Sequence, residues 1–202
     1  PYYDRSTLVN VTTHTVIHNL VFGCVLVFFI QWIFLGDLRS AVIVSVNIPF
    51  ALCFSIIMLV LSGESANLLS LGAIDFGIIV DGAIVVTETI LRRREELPEA
   101  PLTRTDVLEM TSHVAQPMFF ATLIIILAYC PLFAFQRAEG KLFTPMAWTV
   151  GYALFGALLC SLTLIPGLAY VALRKPRKIF HNKPLIWLTE RYRAALVHLI
   201  AR

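Results

Sequence analysis

Three carboxylic acids lie within one apolar stretch of the chain, residues 71–88. They are Asp75, Asp81 and Glu88, and the residues between them are mostly aliphatic or glycine. An ionised carboxylate in the hydrocarbon of a membrane costs at least about 2.5–3.5 kcal/mol. Such acids mark an ion or proton pathway by default, because a carboxylic acid held away from water can load and release a proton.

Helical spacing places the three acids at different positions. At about 100° per residue, Asp81 and Glu88 share one face to within about 20° and are separated by about 10.5 Å along the axis. Asp75 lies about 9 Å before Asp81 and about 120° around the helix. We expect Asp81, the most central, to face protein or water. Interfacial exposure is the alternative reading for Glu88, and a structural hydrogen bond to a neighbouring helix is the alternative for Asp75.

Small residues surround these acids. The spacing of Ala73 and Gly77 lets another helix approach closely, and Gly77 and Gly82 leave room beside Asp81 for a side chain or water. We therefore predict helix packing around the acids through Gly72, Gly77 and Gly82. Because no Lys or Arg lies inside the apolar stretches, a cationic partner for the acids is expected outside this chain.

The element that carries the acids belongs to a chain with the composition of a membrane protein. Of the 202 residues, 58% are hydrophobic and 14% charged, and the mean hydropathy is +0.79. A soluble domain has about 45–50% apolar and about 25% charged residues. We predict an all-α bundle of about five transmembrane helices of roughly 20 residues each. Their apolar stretches are Val16–Leu35, Ala41–Leu61, Leu68–Leu91, Met118–Phe135 and Met146–Leu173.

Basic residues gather on one side of this predicted bundle. Of the 16 Lys and Arg, all except Arg5, Arg137 and Lys141 fall on that side. The positive-inside rule assigns it to the cytoplasm, with the N-terminus outside and the C-terminus inside. The predicted segments are an extracytoplasmic end (1–15), the five-helix bundle (16–174) and the start of a cytoplasmic amphipathic helix (175–202). The basic residues flank membrane ends, so the net charge of +3 indicates no nucleic-acid partner.

One polar loop on the basic side covers residues 92–116. Its sequence predicts a short surface helix with Thr105 or Asp106 as the cap. Pro117 then fits the first turn of the next membrane helix.

The acidic stretch closely resembles a helix of a known transporter family. Leu71-Gly-Ala-Ile-Asp-Phe-Gly-Ile-Ile-Val-Asp-Gly-Ala-Ile-Val-Val-Thr-Glu88 is similar to the fourth membrane helix of resistance–nodulation–cell division (RND) efflux pumps, above all in the cobalt–zinc–cadmium branch. Further matches are Tyr3-Asp-Arg-Ser-Thr-Leu-Val, His18-Asn-Leu-Val-Phe-Gly23, Phe34-Leu-Gly-Asp-Leu-Arg39, Glu139-Gly-Lys-Leu-Phe-Thr-Pro-Met-Ala147 and Ser161-Leu-Thr-Leu-Ile-Pro166. The resemblance covers essentially the whole chain. It implies helices two to six of a twelve-helix pump, half of its transmembrane domain.

The resemblance also implies a function. The acid matching Asp81 is the family's central proton-relay carboxylate, and acids at Asp75 and Glu88 are characteristic of the metal-exporting branch. The implied activity is secondary active antiport of protons against divalent cations such as cobalt, zinc or cadmium, without a cofactor. The implied assembly is a homotrimer in the bacterial inner membrane, joined to a periplasmic adaptor and an outer-membrane channel. Metal-binding residues are not assigned, because the family's substrate domains lie outside the matched helices.

Two other functions stay open from the sequence. Drug or organic efflux is one, although drug pumps usually keep their second acid directly after the position of Asp81, where this chain has Gly82. A non-transporting five-helix sensing or interaction module is the other. The acids disfavour it, because a sensor needs no protonation site in mid-membrane. An enzyme is disfavoured because the sequence has no nucleophile–base pair or closed metal-ligand motif in a polar pocket.

Overall fold

The computed structural model describes residues 5–63, 76–96, 100–174 and 191–193. Its elements are α1 (Arg5–Leu35), α2 (Leu38–Ser62), α3 (Phe76–Glu96), α4 (Arg104–Ala128), a short 3-10 helix (Cys130–Ala134) and α5 (Arg137–Leu173). Four described segments are long and apolar enough to cross a membrane: Thr13–Leu35, Leu38–Ser62, Arg104–Ala134 and Glu139–Leu173. The predicted all-α membrane class is confirmed, and these segments correspond to four of the five predicted spans.

The remaining predicted span, Leu68–Leu91, is described only from Phe76 onward, as the first part of α3. Residues 64–75 lie outside the described residues, and with them Gly72 and Asp75. Of the predicted C-terminal amphipathic helix, only residues 191–193 are described, and these are helical. The third crossing and the division into segments 1–15, 16–174 and 175–202 therefore stay predictions.

A two-residue connection joins α1 to α2. Gly36 adopts the left-handed φ of 66° that an L side chain rarely takes. Asp37 then caps α2, because its Oδ2 accepts hydrogen bonds from the Ser40 N–H at 3.1 Å and the Ser40 hydroxyl at 2.9 Å. Helices joined this tightly pack side by side, and α1 does contact α2 along the bundle.

The prediction for the polar loop is wrong in two respects. Thr103, rather than Thr105 or Asp106, is the cap of α4. The Thr103 hydroxyl accepts from the Asp106 N–H at 3.2 Å, and the Asp106 carboxylate accepts from the Thr103 N–H at 3.0 Å. From this capping box one unbroken helix runs from Arg104 to Ala128, so Pro117 lies in its interior and not in a first turn. The helix begins upstream of Pro117 for two reasons. The reciprocal cap of Thr103 and Asp106 starts it at Arg104, and membrane helices tolerate prolines in their interior.

The core of the bundle lies between α2 and α5, which form the most extensive helix pair. Fully buried Ile48 of α2, Ile90 of α3 and Ile165 of α5 belong to one apolar cluster. At Gly156 of α5 a Cβ would lie 2.7 Å from the Phe54 ring of α2, so glycine is needed for this approach. α3 packs against both helices of the pair and against α4. One face of α3 is therefore fixed in the core while the other borders α4 and α5.

Candidate functional site

Asp81 lies on the side of α3 that the core leaves open. The buried side chains of α3 include Ile79, Val80, Ala83, Val86, Thr87 and Ile90. Asp81 itself is exposed at the surface of the described bundle, where it lines a cavity between α3, α4 and α5. The central acid is thus held by a rigid helix at the edge of the packed core.

The cavity beside Asp81 has a volume of about 140 Å³. That is room for several waters, each of which takes about 30 Å³ in the liquid. Most of its lining is aliphatic, with Met118, Ile125 and Leu158 among the larger side chains. The polar lining side chains come one from each helix: Asp81 from α3, Thr122 from α4 and Ser161 from α5. The arrangement joins one carboxyl group and two hydroxyl groups in otherwise apolar surroundings.

Ser161 brings its hydroxyl to this cavity where α5 meets α3. The side chain is fully buried. Within the described ranges no hydrogen-bond partner lies in reach of its Oγ. Leaving a buried hydroxyl unpaired costs about 1–3 kcal/mol. In this arrangement its Oγ has almost no water-accessible surface, so a water in the neighbouring cavity reaches it only after a local movement.

Gly82 is what allows Ser161 to come so close to α3. A Cβ at Gly82 would lie 3.1 Å from Ser161 Oγ and 3.0 Å from Met118 Cε. The room expected beside Asp81 at this glycine is therefore filled by these two side chains. Gly77, one turn before Asp81, is exposed.

Glu88 is separated from the cavity although it shares a face with Asp81. Its Oε1 accepts hydrogen bonds from Arg92 Nη2 at 2.7 Å and Arg92 Nε at 3.1 Å. The side chain of Glu88 is 45% exposed. The expectation that the cationic partner of the acids lies outside this chain is therefore wrong for Glu88, because Arg92 follows the predicted span by one residue. A pair this exposed contributes about 0–1 kcal/mol to stability.

The next arginine fastens this end of α3 to α4. Arg93 donates to Glu96 at 3.0 Å on its own helix and to Asp106 at 3.5 Å on α4. The hydrogen bond to Glu96, aided by the charge of Asp106, raises the pKa of the Arg93 guanidinium above its ordinary value. Both contacts hold the Arg93 side chain in place at the end of α3.

Sequence reasoning missed three polar residues that the fold brings to α3. Thr122 and Ser161 line the cavity, while Asn47 of α2 is fully buried and donates from Nδ2 to the Ile79 carbonyl oxygen at 2.7 Å. That bond fixes α3 two residues before Asp81. The available signal was a polar side chain in an apolar stretch, which in membrane helices often bridges to a neighbour.

The acids do not form a metal centre with other described side chains. Within residues 5–63, 76–96, 100–174 and 191–193, no group of three or more His, Cys, Asp or Glu is placed to hold a metal ion. Asp75 lies outside these ranges. What the described geometry offers is a carboxyl group beside a cavity at Asp81 and an ion pair at Glu88.

Comparison with known proteins gives a consistent assignment. All 202 residues match one family model, described as the AcrB/AcrD/AcrF family. The cobalt-zinc-cadmium resistance protein CzcA of Cupriavidus metallidurans is 40% identical over 206 residues, which cover 98% of this chain and 19% of that protein. The nickel and cobalt resistance protein CnrA of the same organism is 37% identical over 209 residues, covering 100% of this chain and 19% of that protein. The chain thus spans about a fifth of the length of the curated relatives it matches.

Solved structures agree in both sequence and helix arrangement. Two crystal forms of a heavy metal efflux pump are each 50% identical to this chain, with TM-scores of 0.77 and 0.79. The matches cover 96% and 99% of this chain and 18% of the pump in each case. The described helices therefore have the arrangement of one part of such a pump.

Proposed function

The chain belongs to the AcrB/AcrD/AcrF family and to the heavy-metal branch of the RND pumps, as the resemblance predicted, and on that premise we propose that it is the proton-translocating part of a proton/divalent-cation antiporter. The cargo we propose is a heavy-metal cation such as cobalt, zinc or cadmium, in keeping with the names of CzcA and CnrA. The cargo site belongs to the remainder of the pump. This chain's task is to take up and release the protons that drive export.

The observation that carries the proposal is the placement of Asp81 on a cavity that can hold water. A proton reaches a carboxylate in mid-membrane only through water or polar side chains, because hydrocarbon does not solvate it. Thr122 and Ser161, which both carry hydroxyl groups, line the same cavity as Asp81. We propose that they hold waters through which Asp81 exchanges its proton.

Protonation of Asp81 changes the charge of the open face of α3. The ionised form favours water and cationic neighbours, whereas the neutral form tolerates apolar contact. A pump that alternates between two arrangements of its helices needs a step in which a change of charge favours one arrangement over the other. Each proton that crosses a potential of 100 mV supplies about 2.3 kcal/mol, so a few protons suffice to bias such a pair of states.

Asp75 and Glu88 complete the proposed relay on either side of Asp81. We assign Asp75 to the extracytoplasmic side, where protons enter, and Glu88 to the cytoplasmic exit. The half-exposed position of Glu88 and its contact with Arg92 support an exit role, because they hold the carboxylate where it can meet water at the basic end of α3. In this scheme Asp81 is the group that changes charge within the membrane.

The proposed cellular setting is the bacterial inner membrane, with the N-terminal end of the chain periplasmic and its C-terminal end cytoplasmic. The basic ends of the described helices support this orientation. The proposed assembly is a homotrimer that works with a periplasmic adaptor and an outer-membrane channel. Protons and divalent cations are its transported partners.

The decisive experiment replaces Asp81 by Asn in the full-length pump reconstituted into vesicles. Asn keeps the size of the side chain but cannot ionise, so metal-dependent proton flux should fall to the background of protein-free vesicles. Zinc, cobalt, cadmium, copper, silver and a hydrophobic dye are offered in turn under an imposed pH gradient. Proton flux is followed with an entrapped pH-sensitive dye and cargo by direct assay.

Glu95→Gln is the matched control, because it removes an exposed carboxylate from the last turn of the same helix. This variant should transport as the unmodified pump does. Transport of the hydrophobic dye alone would reassign the chain to organic efflux. Undiminished proton and cargo fluxes in Asp81→Asn would end the relay role, and an unmodified pump that moves no cargo would favour the non-transporting module.

A further inference from the structure

Three arginines at the ends of three different helices lie around the last turn of α5. Arg39, in the first turn of α2, donates from Nη1 to the Ala172 carbonyl oxygen at 2.9 Å. Arg104 opens α4 and Arg174 directly follows α5, and the Cζ atom of each lies 5.7 Å from the centroid of the Tyr170 ring. The Cζ atoms of Arg104 and Arg174 are therefore at most twice 5.7 Å apart. We call Arg39, Arg104 and Arg174 the basic cluster.

The basic cluster lacks the acidic neighbours that Arg92 and Arg93 possess at this end of the bundle. Arg92 and Arg93 are paired with Glu88 and with Glu96 and Asp106. Across the described ranges, no carboxylate oxygen lies within 4.0 Å of the three cluster guanidiniums.

The two acids nearest to the cluster in the sequence are engaged elsewhere. Asp37 accepts from the Ser40 N–H and hydroxyl as the cap of α2. Asp106 accepts from the Thr103 N–H and from Arg93. The partial negative charge at the end of α5 offsets about half of one positive charge, so the cluster keeps a clear excess of positive charge.

The position of the cluster along the helices is that of a membrane surface. All three arginines sit at the ends of segments long and apolar enough to cross a membrane. All three are exposed. Large apolar side chains are exposed beside them: Val171, next to Tyr170, is 77% exposed, and Leu108, one turn after Arg104, is 68% exposed. A ligand that is anionic at one end and apolar at the other matches this surface.

We propose that the basic cluster binds the phosphate of an anionic phospholipid. Guanidinium groups donate paired hydrogen bonds to phosphate oxygens, and basic clusters between membrane helices at the cytoplasmic face bind anionic lipid headgroups. The Tyr170 ring holds Arg104 and Arg174 in place through cation–π contacts. Acyl chains of the bound lipid lie along Val171 and Leu108. The site would tie α2, α4 and α5 together at one membrane surface.

The test titrates phosphatidylglycerol into the delipidated full-length pump in detergent and compares Arg104→Gln/Arg174→Gln with the unmodified protein. Each cation near a lipid surface accounts for about fivefold in affinity, so the double variant should bind roughly 30-fold more weakly. Arg104→Lys/Arg174→Lys retains both charges and should stay within about fivefold of the unmodified pump. The trimer content and thermal unfolding of each protein without lipid verify that the variants fold.

Arg137→Gln/Lys141→Gln removes the same charge from the opposite end of α5 and should leave phosphatidylglycerol affinity unchanged. Phosphatidylcholine, which has no net charge, should bind all variants alike. Equal phosphatidylglycerol affinities of the Gln variant and the unmodified pump would overturn the proposal. So would full competition by millimolar inorganic phosphate, which would identify a site for a free anion.

Discussion

Replacing Ser161 by Ala distinguishes a hydroxyl that organises cavity water from one that merely fills space. The Ser161 Oγ is fully buried, and no partner in the described residues reaches it. If the hydroxyl merely fills space, its removal also removes the cost of leaving it unpaired, so we expect the free energy of unfolding to rise by up to about 1–3 kcal/mol. If the hydroxyl holds a water against ionised Asp81, the variant instead loses a hydrogen bond in a network that includes a charge. Such a bond has a net value of about 1.5–3 kcal/mol, and the lower end already corresponds to about a tenfold slower proton transfer.

The assay is proton-coupled cargo transport by the full-length pump in vesicles, measured at several external pH values beside thermal unfolding. We expect Ser161→Ala to lower the transport rate about tenfold at a limiting proton gradient. At a saturating proton gradient, the loss of transport rate should be smaller. Ser45→Ala is the matched control, because the Ser45 hydroxyl donates to the Ala41 carbonyl oxygen of its own helix at 2.8 Å and does not line the cavity. Transport by Ser161→Ala equal to that of Ser45→Ala at every pH would refute the water-holding role. A loss of transport that only follows a loss of folded protein would refute it equally.

Two further predictions concern how the helices are held. Asn47→Leu removes the hydrogen bond to the Ile79 carbonyl oxygen and should destabilise the pump by about 0.6–1.7 kcal/mol in thermal or detergent-induced unfolding; an unchanged unfolding midpoint would contradict a structural role for that bond. Gly140→Ala should destabilise the start of α5 by about 1–3 kcal/mol, since its Cβ would overlap the Phe135 carbonyl oxygen. Gly151→Ala, with open space around the new methyl group, should instead gain up to about 1 kcal/mol from helix propensity; equal effects of the two substitutions would show that the close approach at Gly140 is not rigid.

Hydropathy predicted the membrane helices well, because spanning length and apolar composition are properties of the local sequence. The predicted ends Leu35 and Leu173 coincide with the ends of α1 and α5. The start of α4 was misplaced, because proline is frequent both in first turns and inside membrane helices. The deciding residue, Thr103, acts only together with Asp106. Local rules therefore located the four spans that the structure describes, but not every cap.

The site was predictable only in part, because a helical wheel gives directions and no neighbours. Asp81 and Glu88 were rightly placed on one face by spacing, and that face is the less buried one. The distinction between them depends on tertiary contacts and on charge just beyond the span: Arg92 beside Glu88, and the cavity beside Asp81. Ser161 lies 80 positions after Asp81 in the numbering, so only the packing of α5 on α3 brings the two residues to one cavity.

The exposure of Asp81 limits where the rest of the pump can lie. On the predicted third crossing, a carboxylate at the position of Asp81 cannot face lipid, since that contact costs at least about 2.5–3.5 kcal/mol. In the described bundle, α4 and α5 border Asp81 through the cavity, and its side chain is exposed beyond them. We therefore expect further helices of the full-length pump to cover the open face of α3 at Asp81, because only protein or enclosed water can neighbour the acid there. The same reasoning explains how a single protonation can matter to the whole assembly. In the proposed relay, the charge of Asp81 changes at a contact between two parts of the pump, where it can alter how they fit.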